Sequence, residues 1–402
     1  MAAIYFCVAA LLLLSADLFY FVRPVQFFLV ALVLLTVFAG NQLNGADWIN
    51  YTTVYARVAE TTLEESLAAP DFEPLFTIWM WLFSHAGASY QTFVASIAVF
   101  NVGALLFVAI LLRIRNIGFL FAIIFLMEGW SLYQEQIRNS LALSLCLLAC
   151  ALKARERPKL AIITVVIAVG FHFSALVGFF YIYLLDVIRR RNNLSPPSLA
   201  SIVRSTIVVA LIFGAPLYIG LRDPDIFSFV PIIPEKLRFY GQDITSGSSL
   251  LNAGLLIYPI GFLVLCQRYP AIARAGNVFL SFSFVVGVIW CLIGTILRTS
   301  AILTRFEHYF LMLIPFAFVA YRGDGAKVRI SSCIIVLIFA SIFTVRLLIQ
   351  PGHAEWTANY QNVFISDFFG LPLKSEDARR TAVCDALNDA GIDFCNTQSL
   401  HP

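Results

Sequence analysis

Charged residues are scarce in this sequence. Asp, Glu, Lys and Arg make up 13% of its 402 residues, whereas a soluble domain carries roughly 25%. So few charges leave too little polar surface to coat a water-exposed domain, which excludes a soluble globular protein. The net charge is only +3, and this weak charge speaks against nucleic acid as a partner. Hydrophobic residues account for 60% of the chain, so the composition indicates a polytopic membrane protein.

Metal-binding and repeat patterns are also missing. There is no Cys-x-x-Cys pair and the five His residues are scattered, so we predict no zinc site. Many transporters contain internal repeats, and this sequence shows none. Two of the eight cysteines, Cys384 and Cys395, lie in a polar tail rather than in an apolar run. We expect these two to form a disulfide, because the tail is predicted to face an oxidising compartment.

Long apolar runs dominate what remains. A helix needs ~20 residues to cross a hydrocarbon core of ~30 Å. Ten runs reach or approach that length, so we predict an all-α fold, a polytopic integral membrane protein with about ten transmembrane helices. The runs are residues 3–22, 25–40, 89–112, 117–131, 138–152, 203–221, 250–267, 277–297, 304–321 and 329–349.

Two further apolar stretches do not fit a single crossing. Residues 74–86 are too short, and residues 158–186 are long and interrupted around His172. Re-entrant or broken backbone is tolerated only where protein or a water-filled cavity satisfies it. Basic clusters flank 158–186 on both sides, and both belong in the cytoplasm by the positive-inside rule. That rule favours a hairpin with His172 near its tip over a single crossing, and both readings remain open on sequence alone.

The distribution of charge also predicts the domain organisation. Basic residues concentrate in alternate loops, which we place in the cytoplasm. Loop 41–73 and tail 350–402 are acidic, and we place both outside. The prediction is a transmembrane domain over 1–349 with outer loops 41–73 and 222–249, followed by an extracytoplasmic tail over 350–402.

The first outer loop carries one group of candidate site residues. Asp47, Tyr51 and Tyr55 are spaced four apart, which puts them on one face of a helix. Glu73 comes at the point where the next apolar helix begins. One reading is a substrate site at the membrane surface. The other is an interfacial helix whose aromatics, Trp48 included, form part of the aromatic belt.

Polar residues deep in apolar surroundings form a second group. Gln136, Arg138 and Asn139 open an apolar helix. An Arg there costs free energy unless it is paired or faces water, and a helix N-terminus favours anions. Arg138 is thus either a phosphate ligand or a snorkelling interface residue. His172 is either a functional residue at a chain break or a helix–helix hydrogen-bonding group.

A third group lies in the sequence LRTSAILTRFEHYF. Arg298 and Arg305 flank a short segment that also holds Glu307 and His308, and Tyr309 follows Arg305 by four residues. Two arginines beside one acid are suited to clamp a pyrophosphate. The alternative reading is an ordinary charged turn.

The order of these motifs resembles a known family. GADWINY, EPLF, QIRNSLALSL, FHFSAL and R-F-x-x-Y follow one another over roughly residues 45–310. This order is similar to that of the EpsG-type, Wzy-like bacterial polysaccharide polymerases. The tail 350–402 is longer and more acidic than the resemblance leads us to expect.

The resemblance implies a fold and an activity. We expect a GT-C-like arrangement in the bacterial plasma (inner) membrane, with an active site facing the periplasm or outside. The implied reaction transfers a growing glycan from undecaprenyl pyrophosphate to the next lipid-linked repeat unit, with no metal, nucleotide sugar or other cofactor. The expected partners are the undecaprenyl-pyrophosphate-linked oligosaccharide, the lipid bilayer and a chain-length regulator protein.

The resemblance also implies roles for residues. The leaving pyrophosphate needs cations, for which Arg138, Arg298 and Arg305 are the candidates. The attacking hydroxyl needs a base, for which Asp47, His172 and Glu73 are the candidates, with Glu73 ranked third. The candidate sugar contacts are Trp48, Tyr51, Tyr55, Gln136, Asn139 and Tyr309.

Two other functional classes compete with this hypothesis. A ligase or single-sugar glycosyltransferase that uses a polyprenyl phosphate donor has the same fold class. A metal-dependent version of it requires an acidic pair, which Glu64–Glu65 and the Asp71-x-Glu73 motif supply. The third class is a transporter or flippase. The lack of an internal repeat and the placement of most candidate charges at one membrane face are evidence against it.

Overall fold

The computed structural model describes residues 2–19, 22–45, 47–68, 71–190, 197–209, 257–297, 301–319, 330–349 and 360–389. Within these ranges all regular structure is helical, apart from an isolated antiparallel bridge between Asn41 and Asn362. The predicted all-α fold is therefore confirmed. The predicted outer loop 222–249 and the candidate Arg298 lie outside the described residues.

The helices follow the predicted apolar runs closely in the first half of the chain. They are α1 Ala2–Ser15, α2 Arg23–Ala39, α3 Trp48–Glu60, α4 Leu63–Ala68, α5 Pro74–His85, α6 Tyr90–Leu111, α7 Ile117–Glu128, α8 Ile137–Ala154 and α9 Pro158–Phe171. The later helices are α10 Val177–Arg189, α11 Leu199–Val209, α12 Ile257–Ala275, α13 Val278–Leu297, α14 Ala301–Leu311, α15 Ile330–Ile349, α16 Val363–Phe369 and α17 Glu376–Asp389.

The number of membrane crossings remains a prediction. Among the described residues, two helices, Tyr90–Leu111 and Ile137–Ala154, are long and apolar enough to cross a membrane. Six shorter apolar helices of 10–17 residues accompany them. A 12-residue helix such as α5 spans about 18 Å at 1.5 Å per residue, less than a hydrocarbon core. This length agrees with the prediction that 74–86 is too short for a single crossing.

The chain divides into two compact units. The first comprises Met1–Phe179 with Ala340–Pro402, and the second comprises Phe180–Phe339. In the first unit α8 is the central helix, because 16 of its 18 residues are buried. It packs against α6 and α9. The Asn101 side chain on α6 donates to Ser140 Oγ on α8 over 2.9 Å, an interhelical polar contact of the kind that joins helices in membranes.

A break separates α9 from α10. His172 has an extended backbone (φ −157°, ψ 127°), and a 3-10 turn over Phe173–Leu176 follows it. The space beside Gly178 is filled by Val165 and Cys146. On one continuous helix Gly178 and Val165 would lie about 20 Å apart. The chain therefore bends at His172, and α9 and α10 do not form one continuous helix. Whether 158–186 is a hairpin or a single crossing remains a prediction.

A second break shows where the run 304–321 was misread as one continuous helix. Helix α14 ends at Leu311, and a 3-10 turn over Ile314–Ala317 follows. Pro315 accounts for this end, because its ring lacks an N–H and would clash with the carbonyl of Leu311 four residues earlier. A reading based on hydropathy alone passes over this proline, because its neighbours are all apolar.

The tail contributes two helices to the first unit, α16 and α17. Asn362 caps α16, accepting from the backbone N–H of Ile365 over 3.2 Å. Cys384, on α17, is disulfide-bonded. Its predicted partner, Cys395, lies outside the described residues, so that pairing remains a prediction.

Candidate active site

A buried ion pair joins two of the predicted site residues. Glu73 directly precedes α5, and Arg138 is the second residue of α8. Arg138 Nη1 donates to Glu73 Oε2 over 2.6 Å. The two side chains are only 10% and 11% exposed. The buried charge of Arg138, at the start of an apolar helix, is thus paired with an acid that lies 65 residues earlier in the chain.

A third segment reaches the same carboxylate. The backbone N–H of Phe173 donates to Glu73 Oε1 over 3.1 Å. Both carboxylate oxygens of Glu73 therefore hold a donor, one from α8 and one from the break after α9. Residues from three distant parts of the sequence meet here. We call them the central cluster: Phe72, Glu73, Arg138, Asn139, His172, Phe173 and Ser174.

His172 is held by its own chain break. The backbone N–H of Ser174 donates to His172 Nδ1 over 3.2 Å, and Ser174 Oγ lies 2.6 Å from the same nitrogen. A backbone N–H only donates, so Nδ1 accepts, and a neutral imidazole then carries its proton on Nε2. His172 in this tautomer caps the 3-10 turn and offers an Nε2–H donor.

The serine links the break to the start of α8. Ser174 Oγ also lies 3.2 Å from Asn139 Oδ1. Asn139 Nδ2 in turn donates to Gln136 Oε1 over 3.2 Å. Gln136 and Asn139, predicted as sugar contacts, are thus part of a hydrogen-bonded chain that ends at His172. Contact of either residue with a sugar remains a prediction.

Arg138 keeps unused donor capacity. Its guanidinium lies over the Phe72 ring, 4.6 Å from the centroid, which fixes the plane of the group. Its Nε is buried and makes no hydrogen bond to any described residue. A buried N–H that lacks a hydrogen bond costs about 1–3 kcal/mol. An anion placed beside Arg138 would therefore gain a donor that is already desolvated and oriented.

Asp47 lies just before α3. Its side chain makes no capping hydrogen bond to the helix. Tyr51 follows one turn later on the same face, and its ring lies 5.3 Å from Phe72 and 5.8 Å from Phe76, centroid to centroid. Phe72 in turn carries Arg138, so this face of α3 points towards the central cluster.

The aromatic residues of α3 are buried. Trp48, Tyr51 and Tyr55 are 4%, 4% and 7% exposed. The Tyr55 hydroxyl donates to the Ala88 carbonyl over 2.8 Å, and burial raises its pKa above the ordinary value. In this structure the three rings serve packing, and their predicted contact with a sugar remains a prediction.

Sequence reasoning missed two parts of this site. Phe72 supports the Arg138 guanidinium, and its only sequence signal is its position beside Glu73. The second part is a π-helical turn over Ser131–Glu135, in which the backbone N–H groups of Gln134 and Glu135 both donate to the Trp130 carbonyl. Such turns occur often at functional sites, and no residue pattern in the sequence predicts this one.

The remaining candidates lie in the second unit. Arg305, Glu307 and Tyr309 all belong to α14. Glu307 is 3% exposed, and its Oε1 accepts from the Tyr258 hydroxyl and from Trp290 Nε1, each over 3.1 Å. Helix, rather than a charged turn, is thus the observed local structure. The predicted pyrophosphate contacts of Arg305 and the sugar contact of Tyr309, which is 1% exposed, remain predictions.

Two of the acids that a metal-dependent glycosyltransferase would use, Glu65 and Asp71, have protein partners. Glu65 Oε2 accepts from the Thr62 backbone N–H over 2.8 Å, and Asp71 pairs with Arg57. Within the described part of the chain, no group of three His, Cys, Asp or Glu residues is placed to hold a metal ion.

Comparison with known proteins supports the family resemblance that the order of the sequence motifs indicates. No curated protein and no solved structure matched the chain. A family model described as the EpsG family matches residues 25–362. The match includes the whole central cluster, α3, α14 and the start of the tail, and it spans more than half of the sequence. With the apolar helices, it indicates a membrane protein, and the chain belongs to the EpsG family.

Proposed function

We propose that this protein is a polysaccharide polymerase that transfers a growing glycan from undecaprenyl pyrophosphate to the next lipid-linked repeat unit. The observation that carries the proposal is the buried Arg138 guanidinium. It is fixed by Glu73 and Phe72, and its Nε has no described partner. A cation held in this way is suited to a leaving pyrophosphate, and family membership supplies the polysaccharide context.

The reaction needs two kinds of group. A hydroxyl oxygen of the acceptor unit attacks the anomeric carbon of the donor glycan, and the bond from that carbon to the pyrophosphate oxygen breaks. The hydroxyl proton passes to a base, and the electron pair leaves on the pyrophosphate, which stays on its lipid. Fixed cations that meet this developing charge stabilise the transition state more than the ground state. Arg138 fills that role.

Asp47 is the base that the geometry favours. Both oxygens of Glu73 are already engaged, by Arg138 and by the Phe173 N–H, so Glu73 orients the arginine. Nδ1 of His172 accepts from a backbone N–H, so its neutral form offers a donor rather than an acceptor. Asp47 is the remaining candidate of the three, and it lies directly before α3, one helical turn before Tyr51.

The disulfide supports an active site on the outer face. Disulfides persist outside the cytoplasm, and Cys384 on α17 is disulfide-bonded. Arg379, five residues earlier on the same helix, donates to the Leu43 carbonyl over 2.7 Å. Leu43 lies four residues before Asp47. The loop that leads to the proposed base therefore shares a compartment with α17, which supports the periplasmic or outer side.

Reconstitution tests the reaction and separates it from its nearest rival. The purified protein in liposomes, given an undecaprenyl-pyrophosphate-linked repeat unit, should build lipid-linked chains that grow by one unit at a time and release undecaprenyl pyrophosphate. EDTA should leave the rate unchanged, since the charge is met by arginine. Loss of activity in EDTA would point to the metal-dependent glycosyltransferase instead, and addition of a single sugar without further growth would exclude a polymerase.

A further inference from the structure

The C-terminal tail is bound to the loop that precedes the proposed base. Asn44 exchanges two hydrogen bonds with Gln361: its Nδ2 donates to the Gln361 carbonyl over 2.7 Å, and its Oδ1 accepts from the Gln361 N–H over 3.0 Å. The backbone N–H of Val363 donates to the Gly40 carbonyl over 2.8 Å. An antiparallel bridge pairs Asn41 with Asn362 beside these bonds. The tail therefore holds this loop at Gly40, Asn41 and Asn44.

A buried arginine completes this attachment. Arg379 on α17 is 1% exposed, and its Nη2 donates to the Leu43 carbonyl over 2.7 Å and to Asn44 Oδ1 over 3.3 Å. Burial lowers the pKa of Arg379 to about 10, so the side chain remains charged at neutral pH. Leu43 has a positive φ of 52°. A non-glycine residue keeps such a backbone only where its surroundings enforce it.

The same loop and tail also touch the turn that leads into α8. Asn41 Nδ2 donates to the Gln134 carbonyl over 2.8 Å, and Gln134 Nε2 donates to the Tyr360 hydroxyl over 3.3 Å. Gly45, with φ +81°, lies so close to Glu135 that a Cβ there would meet its side chain at 2.8 Å. The loop, the tail and the π-helical turn therefore contact one another. The loop leads to Asp47 and the π-helical turn leads to Arg138.

We infer that the C-terminal segment is a strap that positions the two halves of the active site. The strap consists of residues 360–362 and Arg379. It holds loop 40–45, which leads to Asp47, against the π-helical turn, which leads to Arg138. This inference rests on the proposed function. Arg379 is a positioning residue, and α17, which carries it, lies beyond residue 362, where the match to the family ends.

Neighbouring arginines on α17 provide the test and its control. Arg379→Leu removes the bonds to Leu43 and Asn44. Arg380→Leu makes the same change at a partly exposed residue that pairs with Glu376 on its own helix. In Arg379→Leu, we expect amide hydrogen exchange in residues 40–47 to accelerate by about tenfold or more, as local hydrogen bonds are lost. Polymer chains in cells should fall by a similar factor. Arg380→Leu should change neither.

A designed cross-link separates positioning from direct substrate contact. Gln42 lies opposite Gln361 across the antiparallel bridge, and its N–H donates to the Gln361 carbonyl over 3.3 Å. Opposed residues of this kind lie about 4.5–5.5 Å apart, within the range of a disulfide. Adding Gln42→Cys and Gln361→Cys to Arg379→Leu should restore both slow exchange and polymer when oxidised, and reduction should abolish both. The unsubstituted protein with the same reductant controls for the native disulfide.

Each outcome decides the inference. Restoration by the cross-link supports the strap and shows that the Arg379→Leu chain folds. Unchanged exchange in Arg379→Leu would overturn it, and so would a cross-link that restores slow exchange without restoring polymer. If the unsubstituted protein makes no polymer at all, the proposed function fails. The exchange rates of Arg379→Leu, Arg380→Leu and the cross-linked variant then still decide whether the tail holds loop 40–45.

Discussion

Asp47→Asn is expected to lower polymer formation by ~10²–10⁴-fold, the usual effect of removing a general base. The substitution keeps the size of the side chain and replaces the basic oxygen by an amide. Asn is as good as Asp at the start of a helix, so α3 should remain folded. The measurement is the rate of chain extension in reconstituted liposomes, with lipid-linked substrate binding measured alongside. Binding should persist while extension fails.

A second acid on the same loop serves as the matched control. Asp71 pairs with Arg57 at a site where both side chains are more than a third exposed. Exposed pairs of this kind contribute ~0–1 kcal/mol. Asp71→Asn should therefore leave the extension rate within about twofold. Normal extension by Asp47→Asn, or equal losses in the two variants, would contradict the assignment of Asp47.

His172 supplies the other comparison for the base. His172→Asn keeps an acceptor near Nδ1 that can receive the Ser174 N–H, and His172→Gln keeps a hydrogen-bonding group without a titratable proton. If His172 acts through its cap, we expect His172→Asn to retain most activity and His172→Ala to lose stability. Loss of extension in His172→Asn, with the fold intact and Asp47→Asn active, would transfer the role of base to His172.

Arg138→Lys is expected to lower extension by ~10²–10³-fold, the range measured when one donor to a developing oxyanion is removed. Lysine keeps the charge that Glu73 needs, but it cannot donate from a rigid planar group. It also cannot lie flat on Phe72 as the guanidinium does. Arg138→Lys should therefore be nearly as inactive as Arg138→Ala, and more stable, since removing one partner of a buried pair costs about 3–5 kcal/mol.

The control for this prediction lies at the other end of α8. Arg155 is exposed and follows the last residue of the helix. Arg155→Lys should retain full extension activity and normal thermal stability in detergent. If Arg138→Lys extends chains as fast as the unsubstituted protein, the residue is a snorkelling cation, and the leaving-group role proposed for it is wrong.

The sequence predicted much of the site because strong local signals mark it. Glu73 comes directly before a proline that starts a helix, and Arg138 stands alone at the opening of an apolar one. His172 interrupts an apolar stretch between two basic clusters. Each signal is a polar residue whose burial in lipid would be costly, so its position alone indicated a partner or a break. The structure brings all three residues into one cluster.

Other parts followed from tertiary contacts that no local pattern encodes. Phe72 looks like any aromatic residue of an apolar chain, yet its ring supports Arg138. The attachment of the tail depends on Asn44, Gln361 and Arg379, which are separated by more than 300 residues or by a turn and a helix. From the sequence alone, polar residues in an acidic tail are expected to be exposed to solvent. Only packing shows that Arg379 is 1% exposed.

The most direct test of the central claim is deletion of the gene followed by gel analysis of surface polysaccharide. A polymerase joins repeat units, so its loss leaves the units and removes their polymer. The deletion strain should show single repeat units where the parent shows a ladder, and a plasmid copy of the gene should restore the ladder. An unchanged ladder in the deletion strain would contradict the claim that this protein polymerises the repeat units.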